Sequence, residues 1–390
     1  LRGDLKLRKI SNVENKPMAE IPFRITSKTT GESHVIYTDK NGNASTEASY
    51  VKHTAHTNEG KTAADGVWFG TDTPDDQLGA LPYDSYTLQE LRCENNRGTD
   101  LIKKEFSIDD KTNGTVTADS GTLTDYFAQI KTEAVDQKSG THYAKAEDNV
   151  TIMDTVSYAG LTKGQKYRLS GILMDRATGK PVQSDGKAVA SEAEFTAEDR
   201  SGTTKVEFHF KGTELKGHAV VAYEELFKGN ERYAEHKKLT DEGQTVYFPE
   251  VHTTASDAKT GTHTSCASKS VTLTDQVAYR GLAAGKTYTL SGTLMDKKTG
   301  KAIQVNGKPV TAERKFVPEN TDGSVSLTFV FDGSTLAGKT TVVFEKIYQE
   351  ETGVAAHADL KDADQTIHFP KIHTTAWDQA DGDHKVKAEK

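Results

Sequence analysis

Residues 128–249 and 250–371 are one sequence written twice, at a fixed offset of 121 residues with no insertion or deletion. Val156–Leu161 returns as Val277–Leu282, Gly171–Asp175 as Gly292–Asp296, and Gly243–Pro249 as Asp364–Pro370. Most surface positions differ between the copies, and five of the polar residues that persist are Thr132/Thr253, Asp154/Asp275, Glu224/Glu345, His236/His357 and Gln244/Gln365. A repeat of this kind fixes the architecture before any strand is drawn.

A chain of 390 residues has room for about three domains of roughly 100–150 residues. The repeat sets their expected edges at 1–127, 128–249 and 250–371. The stretch Ile372–Asp378 repeats Val251–Asp257, so residues 372–390 are expected to open a further, truncated copy. No run of apolar residues is long enough to span a membrane as a helix. The net charge of −8 is spread without basic stripes, which argues against nucleic acid as a partner. Two cysteines, Cys93 and Cys266, fall in different expected domains and cannot form a disulfide framework. Such an array needs another source of toughness if it works outside a cell.

The hydrophobic pattern is β throughout. Tyr167–Leu173, Lys205–Phe210 and Ser326–Phe331 are short alternating runs bounded by turn residues, and helical stripes of useful length are absent. Units of this size built from many short strands indicate an all-β chain of tandem immunoglobulin-like β-sandwich domains.

Side chains on a strand alternate between faces, so parity shows where each persistent residue points. Gln244 shares a face with Val246 and Phe248, Thr132 with Ile130 and Ala134, Asp154 with Ile152 and Val156, and Glu224 with Ala222 and Leu226. The second copy follows suit. The apolar face of a sandwich strand is its core face, and burying an unpaired polar group there costs several kcal/mol. These groups must therefore satisfy one another. They compose either a buried hydrogen-bond network that specifies the fold, or a reactive set. A Thr hydroxyl is a nucleophile, His a base, the Gln carboxamide an acyl donor with ammonia as leaving group, and two acids can orient or polarise. That is the inventory of acyl transfer.

Val221–Glu224 and Val342–Glu345, each followed by His twelve residues on and Gln eight further, resemble the VaFE-repeat, or ester-bond, domains of Gram-positive surface adhesins. The resemblance implies that Thr132 is esterified to Gln244, and Thr253 to Gln365, by autocatalysis with release of ammonia. It implies His236 and His357 as proton shuttles, and Asp154 with Glu224, and Asp275 with Glu345, as the acids that polarise the Gln carbonyl. One acid of each pair is expected to be protonated, because two close buried carboxylates do not both ionise easily. A folded core can supply an effective molarity of about 10⁵–10⁸ M for such a reaction.

Residues 1–127 lack the repeat. Leu5–Ile10, Asn15–Phe23 and Tyr86–Leu91 resemble the CnaB-type, SpaA-like domain of pilins and adhesins, many of which carry an isopeptide bond. The resemblance implies Lys6 as nucleophile, Glu90 as assisting acid and Asp125 as acceptor. Parity instead puts Lys9, not Lys6, on the face of Leu5 and Leu7, so the lysine stays open between the two. An insert over roughly 34–80, with Trp68, His34, His53 and His56, is read as a surface elaboration whose histidines lack metal-ligand spacing. Arg2-Gly3-Asp4, an integrin-type tripeptide, is read as accidental.

The reading this supports is a stalk segment of a cell-wall-anchored, extracellular adhesin, monomeric, without cofactor or metal, and no enzyme beyond a single intramolecular turnover. Its wall attachment is expected outside these residues, and its host or surface ligand is unknown. Two other classes compete: a ligand-binding domain using the 34–80 insert, and a hydrolase using the His, Glu and Asp residues on an external substrate.

Overall fold

A computed structural model describes residues 1–55, 66–109, 116–379 and 382–385. The chain is all-β: tandem immunoglobulin-like sandwiches, in which the helical turns among the described residues are short 3₁₀ segments such as Thr213–Leu215 and its counterpart Ser334–Leu336.

Each repeat pairs a three-stranded sheet with a larger one. In the first, Gln129–Asp136 pairs with Val150–Ala159, which pairs in turn with Gly202–Phe210. The facing sheet runs Ala190–Thr196, Lys166–Asp175, Ala219–Lys228 and Glu231–His236, with the short strand Thr245–Tyr247 also on Ala219–Lys228. The second repeat reproduces this order from Glu250–Asp257 to Thr366–His368. Strict alternation builds the core between the sheets: Val150–Ala159 buries Ile152, Asp154 and Val156 on one face and turns Ser157 outward.

In the first 127 residues, Arg2–Ser11 pairs in parallel with Val116–Asp125, and a second sheet runs Ser33–Tyr37, Pro22–Ser27, Asp84–Glu90, Lys103–Ile108. In its described residues the insert is not merely a surface elaboration. Val67, Trp68, Phe69 and Ala80 are buried in the core of this unit, and His53 is buried with Nε2 against the Thr46 carbonyl at 2.9 Å. His56 lies outside the described residues. Arg2 lies on the Trp68 ring, 3.7 Å from its centroid, and donates to the carbonyls of Phe69, Gly79 and Ala80. Asp4 is buried and accepts from Ala80 N and Thr46 Oγ1. The tripeptide is therefore structural, with both charged side chains committed to the fold.

The units meet at polar joints. Asp100 accepts from Lys228 Nζ at 2.5 Å, Tyr233 OH at 2.8 Å and Thr162 Oγ1 at 2.5 Å, which holds its carboxyl below the usual range despite partial burial. Between the repeats, the Tyr143 and Tyr288 hydroxyls are 2.7 Å apart and buried.

Candidate functional site: two buried cross-link centres

The repeat site bridges the two sheets. Thr132 and Asp154 come from neighbouring strands of the smaller sheet, Glu224 and His236 from the larger one, and Gln244 from the turn just before its strand Thr245–Tyr247. Glu224 lies directly opposite His236 in the antiparallel register, and Glu345 opposite His357. Two backbone hydrogen bonds place the glutamine: Ala134 N donates to Gly243 O at 2.9 Å, and Ala222 N to Gln244 O at 3.1 Å. The glutamine segment is thereby laced to both sheets, beside the threonine strand and beside the glutamate strand. The second repeat makes the matching bonds, Ala255 N to Asp364 O at 2.9 Å and Val343 N to Gln365 O at 3.2 Å.

Consequently the two side chains meet. Gln244 Nε2 donates to Thr132 Oγ1, and Gln365 Nε2 to Thr253 Oγ1, across 112 positions of sequence in each case. Both glutamines are fully buried and both threonines nearly so. In the second repeat Thr253 Oγ1 also donates to Glu345 Oε2 at 3.2 Å, and Gln365 Nε2 to Asp275 Oδ1 at 3.1 Å. In both repeats the Gln carbonyl oxygen is buried without a donor. That is the oxygen on which negative charge would develop during attack on the carboxamide.

The acids are fully buried. In the first repeat they interact chiefly with each other, and the Thr132 hydroxyl and the Glu133 backbone N–H also favour the charged form of Asp154. Burial, and next the charge of Asp154, push Glu224 up to about 10. Asp154 is pushed by burial to about 6, with the hydrogen bond from Glu224 opposing the rise. Glu345 is likewise raised to about 10 by burial and by Asp275, and Asp275 is raised by burial. At neutral pH the first pair therefore shares one proton, held by Glu224, and in the second repeat Glu345 likewise keeps its proton. A neutral carboxylic acid is a donor, and Glu224 gives its proton to the hydrogen bond with Asp154.

His236 and His357 are about one-fifth exposed, at the edge of the core. Each binds an aspartate that sequence reasoning did not select: His236 Nε2 lies 2.9 Å from Asp241 Oδ2, and His357 Nε2 2.8 Å from Asp362 Oδ2. The signal was present, since Asp241 and Asp362 stand at the same offset of 121. It was masked because other aspartates kept at that offset, Asp136/Asp257 and Asp175/Asp296, cap turns, and Asp175 also meets a histidine, His218, at 2.8 Å.

In the first unit the structure corrects one residue. Lys6 is exposed and faces Asp119, 3.4 Å away, because strand alternation turns it away from Leu5 and Leu7. Lys9 is fully buried: its Nζ lies 2.9 Å from Glu90 Oε2 and donates to Asp125 Oδ1. Glu90 is held by Asn96 Nδ2 at 2.8 Å and Ile102 N at 3.2 Å. Burial, and next the nearby Glu90, push Asp125 up to about 7, with Lys9 opposing. A buried amine against a carboxyl that is partly neutral is a pair suited to condensation.

Among the described residues no cluster of His, Cys, Asp or Glu is arranged to hold a metal ion, and no helix is long and apolar enough to cross a membrane.

Several solved structures align with the chain at low similarity. The major pilin subunit of Bacillus cereus aligns over 93% of this chain and 94% of its own, at 14% identity and a TM-score of 0.33. The full-length major pilin SpaD from Corynebacterium diphtheriae aligns over 89% and 86%, at 13% identity and a TM-score of 0.32. A Mobiluncus mulieris adhesin described as containing intramolecular disulfide, isopeptide and ester bond cross-links aligns over 56% and 80%, at 14% identity and a TM-score of 0.27. At these similarities they add nothing to the fold described above. No curated protein matches the chain. The model of the T-Q ester bond containing domain matches residues 128–248 and again 249–369. The chain belongs to that family, and carries its domain in two tandem copies.

Proposed function

We propose that the chain is a stalk segment of a bacterial cell-surface adhesin or pilin-like protein, whose units are stapled by their own side chains. Thr132 is joined to Gln244 and Thr253 to Gln365 through esters, and Lys9 to Asp125 through an isopeptide bond. The observation that carries this reading is the meeting of a Thr hydroxyl and a Gln carboxamide inside a sealed core in both repeats, beside an acid pair whose glutamate keeps its proton. Water exclusion favours retention of an ester once formed. The same burial counts against a hydrolase, because no external substrate can reach Thr132 or Thr253 without opening the sandwich. On this reading the stalk works outside the cell, attached to the cell wall.

Intact mass tests the chemistry. The purified chain should be lighter than its sequence by two ammonias and one water. His236→Ala should restore one ammonia and leave the second repeat unchanged. Lys9→Ala should restore the water, while Lys6→Ala should not. A mass equal to the sequence mass would overturn the reading.

A binding role for the first unit draws support from an open cleft of about 600 Å³ lined by Glu20, Thr38, Asp39, Tyr50 and Val51. A soluble surface ligand retained by the isolated chain, and lost on Tyr50→Ala, is the expected result under that second reading.

A further inference from the structure

We infer that Asn96 is a positioning residue of the isopeptide step, holding the Glu90 carboxyl so that one of its oxygens faces Lys9. The inference rests on the isopeptide reading above and adds a residue to it.

Three observations carry it. First, Asn96 is fully buried although it lies in the connection between strands Asp84–Glu90 and Lys103–Ile108, and it meets the assisting acid directly. Asn96 Nδ2 donates to Glu90 Oε1 at 2.8 Å and to the Leu91 carbonyl at 2.9 Å. The other oxygen, Oε2, accepts from Ile102 N at 3.2 Å and lies 2.9 Å from Lys9 Nζ. The Asn96 amide thus occupies the oxygen that the amine does not use. The ionisable groups that face Glu90 are Lys9, from Arg2–Ser11, and Asp125, from Val116–Asp125. Uncharged donors close its remaining side.

Second, the asparagine is oriented from the opposite end of its amide. Asn96 Oδ1 accepts from Cys93 N at 2.8 Å, capping the single 3₁₀ turn Glu94–Asn96. With its oxygen on a backbone N–H, the amide must present its two N–H donors on the other side, where Glu90 stands. Third, the connection is tied down from within and from the next unit. The Arg92 guanidinium donates to the carbonyls of Asn96 and Thr99, and the buried Thr99 Oγ1 donates to Asn96 O at 2.9 Å. From the first repeat, Glu231 accepts from Gly98 N at 2.9 Å and from Arg92 Nη2 at 3.3 Å. Gly98 is left-handed at φ 73°, and a Cβ there would stand 3.2 Å from the carbonyls of Arg232 and Tyr233. These ties leave Asn96 little freedom to leave Glu90.

The bond-forming step uses this arrangement and balances. As Lys9 Nζ bonds to the Asp125 carboxyl carbon, one amine hydrogen passes to Glu90 Oε2 and on to the departing hydroxyl. The carbon–oxygen bond breaks, water leaves, and Glu90 ends as it began. A carboxyl displaced by about an ångström would serve neither partner, and misplacement of that size costs on the order of 10²-fold in rate.

Asn96→Asp is the informative change. The introduced carboxyl can keep the bond from Cys93 N, so the turn is retained, while donation to Glu90 then depends on a proton. The chain carrying Thr132→Ala and Thr253→Ala, in which loss of water is the one mass change left, is the reference. Recovered unreacted in denaturant, it is refolded by dilution into buffers from acid to alkali and followed by intact mass. Near-ultraviolet circular dichroism of Trp68, buried in this unit's core, times folding separately. Asn96→Ala should lose water on the order of 10²-fold more slowly than the reference at every pH. Asn96→Asp should show that lag in alkali and close on the reference as pH falls and the introduced carboxyl takes up a proton. A reference rate in Asn96→Ala, or an Asn96→Asp rate in constant ratio to the reference from acid to alkali, would overturn the inference. A reference chain that never loses water would instead sink the isopeptide reading on which it rests.

Discussion

At the residue scale the site depends on protons stored in an apolar interior. Glu224 keeps its proton in the folded state up to about 10, whereas an exposed glutamate loses it near 4.5. Between those values the folded state binds a proton that the unfolded state has released, so stability from this group is present in full below about 4.5 and is lost as pH rises towards 10. A Thr132→Ala, Thr253→Ala chain, free of esters, should therefore weaken as pH rises through this window, with a slope of at most about 1.4 kcal/mol per pH unit for each such carboxyl. Glu224→Gln in that background should flatten the first repeat's share, measured as denaturant midpoints across a pH series. Much of this site was legible in the sequence, because parity alone put four of the five repeated polar residues on core faces. Parity also pointed to Lys9, whereas the register suggested by family resemblance pointed to Lys6, which the strand turns to solvent. Local alternation won because a single residue of slip exchanges core for solvent. Asp241 was not legible, because its meaning lies in a contact with His236 and not in its recurrence.

At the element scale the site needs room as well as partners. Gly171 lies opposite Glu224 across the Lys166–Asp175 and Ala219–Lys228 strands. A Cβ there would stand 2.4 Å from Glu224 Oε1 and 2.6 Å from Phe208 Cζ. Gly171→Ala should displace the acid, cost about 1–3 kcal/mol as overpacking does, and leave the first-repeat ester incomplete; unfolding curves and intact mass read the two effects. Gly292 repeats the constraint in the second copy, with Phe329 at 2.6 Å. The strands themselves were foreseeable from period-two patterning. The 34–80 segment was not: its polar composition read as a surface feature, and its few large apolar residues, Val67, Trp68 and Phe69, enter the core through long-range packing that no local period reports.

At the scale of the whole molecule the three proposed bonds nearly tile the chain. Asp125 stands seven residues before Thr132, and Gln244 nine before Thr253. A pull on the ends would run from Lys9 to Asp125, Thr132 to Gln244 and Thr253 to Gln365 through covalent links and short connectors. The 111 residues enclosed between Thr132 and Gln244 would stay slack. Without its bond such a unit extends by about 3.3–3.6 Å per residue, hence by hundreds of ångströms. Single-molecule pulling on the wild type should show no extension of domain size, and Thr253→Ala should introduce one. Full-length extension of the wild type would place the bonds outside the force path. The joints at Asp100 and at Tyr143–Tyr288 lie between the loops, where the connectors must carry the load.

The wide spacing in sequence of each reacting pair has a consequence in time. Thr132 belongs to the first strand of its repeat, and Gln244 immediately precedes the last. A chain arriving from its amino-terminal end presents the hydroxyl early and the carboxamide only when the sandwich is all but complete. Because ammonia departs, the step is not readily retraced. Each ester is then a dated seal, written once, by a repeat that has finished folding.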